Sequence, residues 1–312
     1  MRRVILLLAS LVLLLCVVSA AAARDIFVNN LAGDDRFTGL QRATTPDGTG
    51  PVRTIAKALR LAQQGDRVWV ENTGQPYRES LTLMGSRHSG FSFQPFVLAG
   101  NGAVLDGSEP VPPNAWEHFQ GPVFRFRPPR VEFQQLFLGG RPVSRAGSGG
   151  AGLEPPKLQP LQWCLHGAFL YFAVEAQKLP ADYPLSYAAK PAGISLLAVE
   201  NVLIRDLVVQ GFHLDGVHAL NRARAIRLVG VTAQHNGRSG IAVGGASRVD
   251  VEKCHVASNG YAQLLTLPWS ETYLRNSELA ASLAPAWADQ GGTLWRDGQP
   301  VREGPDHPSG KP

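Results

Sequence analysis

Between positions 213 and 238 the sequence places His213, Asp215, His218, His235 and Arg238. Histidine titrates near neutral pH, a neighbouring carboxylate fixes its orientation, and arginine neutralises negative charge. Together these side chains can take a proton from a substrate and stabilise the charge left behind. Arg222 and Arg224 lie just beyond His218 and are suited to holding an anionic substrate group. A plainer explanation stands beside this one. Polar residues are routine in surface turns, and a turn histidine often only hydrogen-bonds nearby backbone, while an arginine cluster is commonly a solvated face. As metal ligands, His213, Asp215, His218 and His235 offer suitable donor atoms, but their spacing matches no strong motif.

For such residues to meet, the chain must return to the same place at a regular interval. Three segments do so, each opening with glycine and a short apolar strand: Gly193 (GISLL), Gly216 (GVHAL) and Gly240 (GIAV), 23 to 24 residues apart. Ile204, Leu228, Val251 and Leu274 fall in register, as do Leu207, Val231 and Cys254, then Val209, Ala233 and Val256. A period in this range marks a stacked architecture, here of short strands without a helix, in which each unit buries its apolar face only against its neighbour. Alternate side chains of each strand face outward, so Ser195, His218 and Ala242 form one surface row, and His218 is its sole ionisable member. Asn236-Gly237 and Asn259-Gly260 recur in one turn, a position suited to a ladder of stacked amides.

Around this repeat the chain divides into five parts. Residues 1–23 read as a secretory signal: Arg2 and Arg3, an apolar run from Val4 to Val18, and Ala21-Ala22-Ala23 as the cleavage site. Cys16 lacks the preceding small residue of a lipoprotein signal, which leaves lipid anchoring as the lesser alternative. Residues 24–110 hold the N-terminal cap and first coils, with one amphipathic helix from Thr54 to Ala62 as a lid on the open apolar end. Residues 111–190 read as irregular coils with an inserted loop and a hairpin, in which Trp163-Cys164 and Phe169 to Val174 flank His166-Gly167. The regular repeats fill 191–280, and 281–312 is a tail with one hairpin signal, Thr293-Leu294-Trp295 turning at Asp297-Gly298.

Composition narrows the partners. The formal charge of +5 becomes +3 once the two signal arginines are removed, too small and scattered an excess for nucleic acid. Beyond the signal no apolar run is long enough to span a membrane. Two cysteines remain, Cys164 and Cys254; an oxidising compartment permits a disulfide, but the inward register of Cys254 favours a buried thiol. Asp34, Asp35 and Asp47 are the one local carboxylate group that a calcium site would draw on, and no calcium motif surrounds them. No other cofactor is evident.

The run GPVRTIAKALRLAQQGDRVWV with Tyr77-Arg78-Glu79, then FVLAGNGAVLDGSEPV, then the repeats from Gly193 to Leu279, resembles secreted bacterial proteins of the pectate-lyase-like superfamily. The resemblance covers most of residues 25–280. It implies an all-β, right-handed parallel β-helix with a short N-terminal capping helix. It implies no one activity, because this fold carries lyases, hydrolases, epimerases and non-catalytic modules. The catalytic patterns of those relatives are mostly missing: Arg127-Pro128-Pro129-Arg130 has the wrong spacing for the lyase R-x-P-x-x-R, and there is neither a combined N-T-D, D-D and G-H-G set of the polygalacturonase kind nor a D-P-H-D of the alginate epimerase kind. The resulting expectation is a monomeric secreted or periplasmic protein that acts on extracellular polysaccharide, of lyase or hydrolase type, through a groove around His218. The alternative is a non-catalytic module binding a glycan or cell surface through the same face.

Overall fold

A computed structural model describes residues 23–146, 154–282 and 284–301 of the chain. Residues 1–22, on which the expected secretory signal falls, residues 147–153 of the Gly-Pro-Ser stretch, residue 283 and the last eleven residues lie outside the described residues.

The molecule is a right-handed parallel β-helix. Its first sheet runs through strands Asp25–Val28, Arg67–Val70, Phe96–Asp106, Glu200–Gln210, Arg224–Val229, Arg248–Glu252, Glu271–Arg275 and Thr293–Arg296. From the second half of Glu200–Gln210 it continues as a branch of short strands, Thr232–Gln234, His255–Ala257 and Glu278–Ala280. The second sheet stacks Leu81–Met84, Ile194–Leu197, Asp215–Asn221, Ser239–Val243, Ala262–Thr266 and Trp287–Asp289. The register is the one that the repeat predicts: Ile204 pairs with Leu228 and Leu228 with Val251, and Val209 pairs with Ala233 and Ala233 with Val256. These inward residues form one continuous core from Ile26 to Leu294. Cys254 lies in it as a free thiol, and Cys164 is buried and free as well. Burial pushes both thiols up to about 11.

The N-terminal end is closed by the helix Ile55–Leu61. Thr54 Oγ1 accepts the Lys57 N–H at 3.1 Å, and the Glu79 carboxylate takes the Ile55 and Ala56 N–H groups at 2.9 and 2.8 Å. Ile55, Ala58 and Leu59 face the core, as the i, i+3, i+4 spacing requires. Asp35 is spent on this cap, accepting from the main chain of Arg53 and Thr54 and from Thr54 Oγ1. Asp34 is paired with Arg36 and Asp47 is bonded to Thr45. These three carboxylates are therefore each engaged with local protein groups.

The segment 111–190 differs from the expectation of irregular coils. Two sheets occupy it, one built from Glu117–Gln120, Val123–Phe126, Phe169–Ala173 and Gln162–His166 in antiparallel order, with Ser144–Arg145 added parallel to Gln162–His166. The other is built from Ser108–Pro110, Leu136–Leu138, Arg141–Pro142 and Leu185–Ala188. The expected hairpin is present, with His166 opposite Phe169. This insertion leaves and rejoins the solenoid at one point, because the Gly107 carbonyl accepts from both Ala189 and Lys190. Strand Phe96–Asp106 consequently pairs directly with Glu200–Gln210 across the excursion. Its core, around Trp163, Phe172, Leu136 and Leu170, is separate from that of the solenoid.

The C-terminal part also differs. Regular stacking does not end near 280 but continues through Trp287–Asp289 and Thr293–Arg296, and Gln299–Val301 then folds back antiparallel on the last strand. Asp297 and Gly298, at φ 48° and 83°, make the turn that their sequence predicts.

The amide ladder is continuous. Asn236 Oδ1 accepts from Phe212 N, Asn259 Oδ1 accepts from both the main chain and Nδ2 of Asn236, and Gln263 Oε1 accepts the same pair from Asn259. Both asparagines are essentially unexposed. Asn259→Ala leaves two buried Asn236 donors unpaired, so a loss of about 2–4 kcal/mol is expected in equilibrium denaturant unfolding. Gly237 is the contact between insertion and solenoid: an added Cβ would lie 1.4 Å from the Phe133 carbonyl oxygen and 2.2 Å from that of His213. Gly237→Ala is therefore expected to push the 130–135 segment off the turn. Faster proteolytic cleavage within that segment, with the far-UV circular dichroism unchanged, is the measurement.

Candidate functional site

Asp215 stands at the start of strand Asp215–Asn221, one coil before Ser239 in register. Its side chain is wholly buried, and its carboxylate is surrounded by donors. Arg238 Nε donates to Oδ1 at 2.9 Å and Nη2 to Oδ2 at 2.6 Å, Ser239 Oγ donates to Oδ1 at 2.6 Å, and His218 Nδ1 lies 2.7 Å from Oδ2. Burial alone would push this carboxyl up. The hydrogen bonds from His218, Arg238 and Ser239, with the charge of Arg238, outweigh it and hold the group below the ordinary carboxylate range. Arg238 is shifted in the complementary sense: burial pulls it down, and Asp215 more than restores it to above the usual value.

An ionised carboxylate accepts and cannot donate, so the neutral form of His218 carries its hydrogen on Nδ1 and has its lone pair on Nε2. The ring is partly exposed, 22% at the side chain, and Nε2 has no protein partner among the described residues. This is the arrangement of a histidine oriented by a buried acid and open to solvent on its basic side.

The outward row is as expected in register and longer than expected, running Thr82, Ser195, His218, Ala242, Leu265, Ala288. It is not an open groove along its whole length. Ala242 and Leu265 are buried, whereas Thr82, Ser195 and His218 remain accessible. The exposed polar stretch is thus confined to the N-terminal half of the row.

Of the candidate residues, the structure joins Asp215, His218 and Arg238. His213 lies close to them but inside, 6% exposed, both ring nitrogens buried without a well-formed hydrogen bond and the Glu132 main chain beside the ring. Burial, with the charges of Arg130 and Arg238, pushes it down to about 4, against a smaller upward pull from Asp215. It is neutral at physiological pH and presents nothing to a surface ligand. His235 is directed elsewhere, into a cleft shared with Arg145 and Ser258, and burial holds it below the ordinary histidine range. Arg222 and Arg224 follow the far end of the Asp215–Asn221 strand, about 20 Å along it from Asp215, and both are exposed. They take no part in the site. Among the described residues no three His, Cys, Asp or Glu side chains are gathered as they would be around a metal ion.

Two contributions escaped the sequence. Ser239 was legible in principle, because one period of 24 residues places it beside Asp215. The insertion was not: Arg130 and Glu132 act on His213, and the Phe133 ring lies 5.9 Å from the Arg238 guanidinium.

No protein-family model and no curated protein matches this sequence. Among solved structures the chain is similar to XylC in a complex with xylose, at 11% identity over 87% of this chain and 69% of that one, with a TM-score of 0.43. It is also similar to a GH136 lacto-N-biosidase from Eubacterium ramulus, at 10% identity over 87% of this chain and 41% of that one, with a TM-score of 0.28. Likenesses this distant place no site and no activity on the chain.

His213 sets a pH dependence of stability. Its folded pKa of about 4 lies below the unfolded value of 6.5, so between these the unfolded chain binds more protons. Stability is full above about pH 6.5 and falls as the pH drops towards 4, by up to about 3 kcal/mol from this residue. The downward shifts of His88 and His235 act in the same sense. Urea unfolding at pH 7 and pH 4.5 measures the loss, and His213→Asn is expected to shrink the difference.

Proposed function

We propose that this chain is an exported protein that acts on extracellular polysaccharide at the outer face of its second sheet. In this reading His218 moves the proton, and Asp215 is a positioning residue that holds the ring and balances the charge it acquires. The observation that carries it is one geometry: a wholly buried carboxylate 2.7 Å from Nδ1 of a partly exposed histidine, which shares an outward row with Ser195 and Thr82. A saccharide laid along Thr82, Ser195 and His218 meets hydroxyls on both preceding coils and a base on the third. Equivalent positions stand ~4.8 Å apart, close to the length of one sugar ring. The chemistry is proton abstraction or water activation, of lyase or hydrolase type, and no cofactor enters it. Arg238 stabilises Asp215 and does not contact substrate. The protein works as a secreted or periplasmic monomer.

A second reading is favoured by two observations. Arg238, which shares the Asp215 carboxylate with His218, is committed to that carboxylate, and Trp269 is 85% exposed in a turn. An exposed indole is a platform for a sugar ring in a module that binds glycan without altering it.

Incubation of the secreted protein with uronate and neutral polysaccharides, followed at 235 nm and by reducing ends, separates the two. Product formation that falls about a hundredfold or more in His218→Ala and about tenfold or more in Asp215→Asn is the expected result. Retention on a glycan column without product, lost in Trp269→Ala, establishes the binding module instead.

A further inference from the structure

The third histidine of the 213–238 group, His235, takes no part in the Asp215 network and has its own surroundings. His235, Ser258 and Ser282 belong to solenoid turns, whereas Gln135, Ser144 and Arg145 belong to the insertion; together they line a cleft of about 360 Å3 where the two parts meet. We propose that this cleft binds the carboxylate of a uronic-acid unit, with Arg145 as its cation.

Three observations bear on it. First, Arg145 is half-buried and pairs with no carboxylate among the described residues; its guanidinium lies 5.2 Å from the centroid of the Trp163 ring. A guanidinium held by its face keeps its N–H groups at its edge for an acceptor. Burial without a counter-ion is costly for a cation, and here it draws Arg145 below its ordinary value, with only a slight opposing effect from the Cys164 thiol. A bound anion removes that cost. Second, among the described residues no aspartate or glutamate lines the cleft, whereas Ser144, Ser258, Ser282, Gln135 and His235 all do. The cavity therefore offers one positive charge, several hydrogen-bond donors and space for about one sugar ring. Third, His235 occupies a left-handed backbone position, φ 54°. The same turn position holds Gly211 in the preceding coil and Ser258 in the next, at φ 74° and 56°. Glycine satisfies this turn without strain, so the turn itself has no need of an imidazole. The ring meets the Ser258 main chain and is otherwise turned to the cleft.

The choice of a sugar acid rests on the saccharide reading above; the anion site itself does not, since binding is read without turnover. The test is isothermal titration of the full chain with galacturonate, galactose, sulfate and phosphate. Saturable heat is expected with galacturonate, and galactose is expected to bind about tenfold more weakly or not at all. Arg145→Gln and His235→Gly are each expected to weaken galacturonate by about tenfold, while Arg224→Gln, an exposed arginine elsewhere, leaves it unchanged. His235→Gly restores the residue that the preceding coil already carries, so it keeps the turn and serves if Arg145→Gln misfolds. Equal binding of galactose, or unaltered affinity in both cleft variants, overturns the site. Sulfate or phosphate binding more tightly than galacturonate overturns the sugar-acid ligand.

Discussion

Everything in this molecule depends on how closely one coil can lie against the next. At the start of three successive second-sheet strands a side chain would collide with its neighbours. A methyl group on Gly193 would stand 2.5 Å from the Gly216 carbonyl oxygen, one on Gly216 2.7 Å from that of Gly240, and one on Gly240 2.3 Å from the Val256 side chain. With glycine there, the backbones approach, the ladders of both sheets form, and the apolar residues of each turn are sealed by those of the next. The same spacing carries the amide ladder from Phe212 through Asn236 and Asn259 to Gln263, which satisfies buried turn backbone that water cannot reach.

This closeness also explains how a carboxylate survives inside. Asp215 has no exposure, and an unpaired charge there would be very unfavourable. Two of its donors, Arg238 and Ser239, come from the following coil, and the third, His218, comes from three residues along its own strand. Stacking thus builds the charged network and the network in turn ties two coils together. Neither coil would hold it alone. That makes a structural and a chemical role for Asp215 inseparable in a stability measurement, and only a readout on substrate divides them.

Much of this was legible beforehand, and for a clear reason. Parallel coils repeat one environment, so each inward position states its preference several times, and the register of Ile204, Leu228 and Val251 could be read from spacing alone. The helix Ile55–Leu61 was legible from its cap and its apolar face. The insertion was not. Its strands, such as Val123–Phe126 and Gln162–His166, are as short and apolar as solenoid strands, and nothing local distinguishes an antiparallel partner from a parallel one. The last coil was missed because its second-sheet strand, Trp287–Asp289, lacks the repeated glycine opening.

The candidate site shows the same division at the level of single residues. Periodicity alone put His218 outward and Asp215 in the turn before it, because residues one period apart must stack. It also grouped His213 and His235 with them, since all fall in neighbouring turns. Side-chain direction separated these histidines: His213 is covered by the insertion, and His235 points into the cleft with Arg145. Sequence by itself determined the coil, its register and which positions face out, because those follow from a repeated local pattern. Tertiary structure decided which polar residues share a site, because a long-range excursion of unrelated pattern packs across the turns, buries one histidine and walls a cleft beside another.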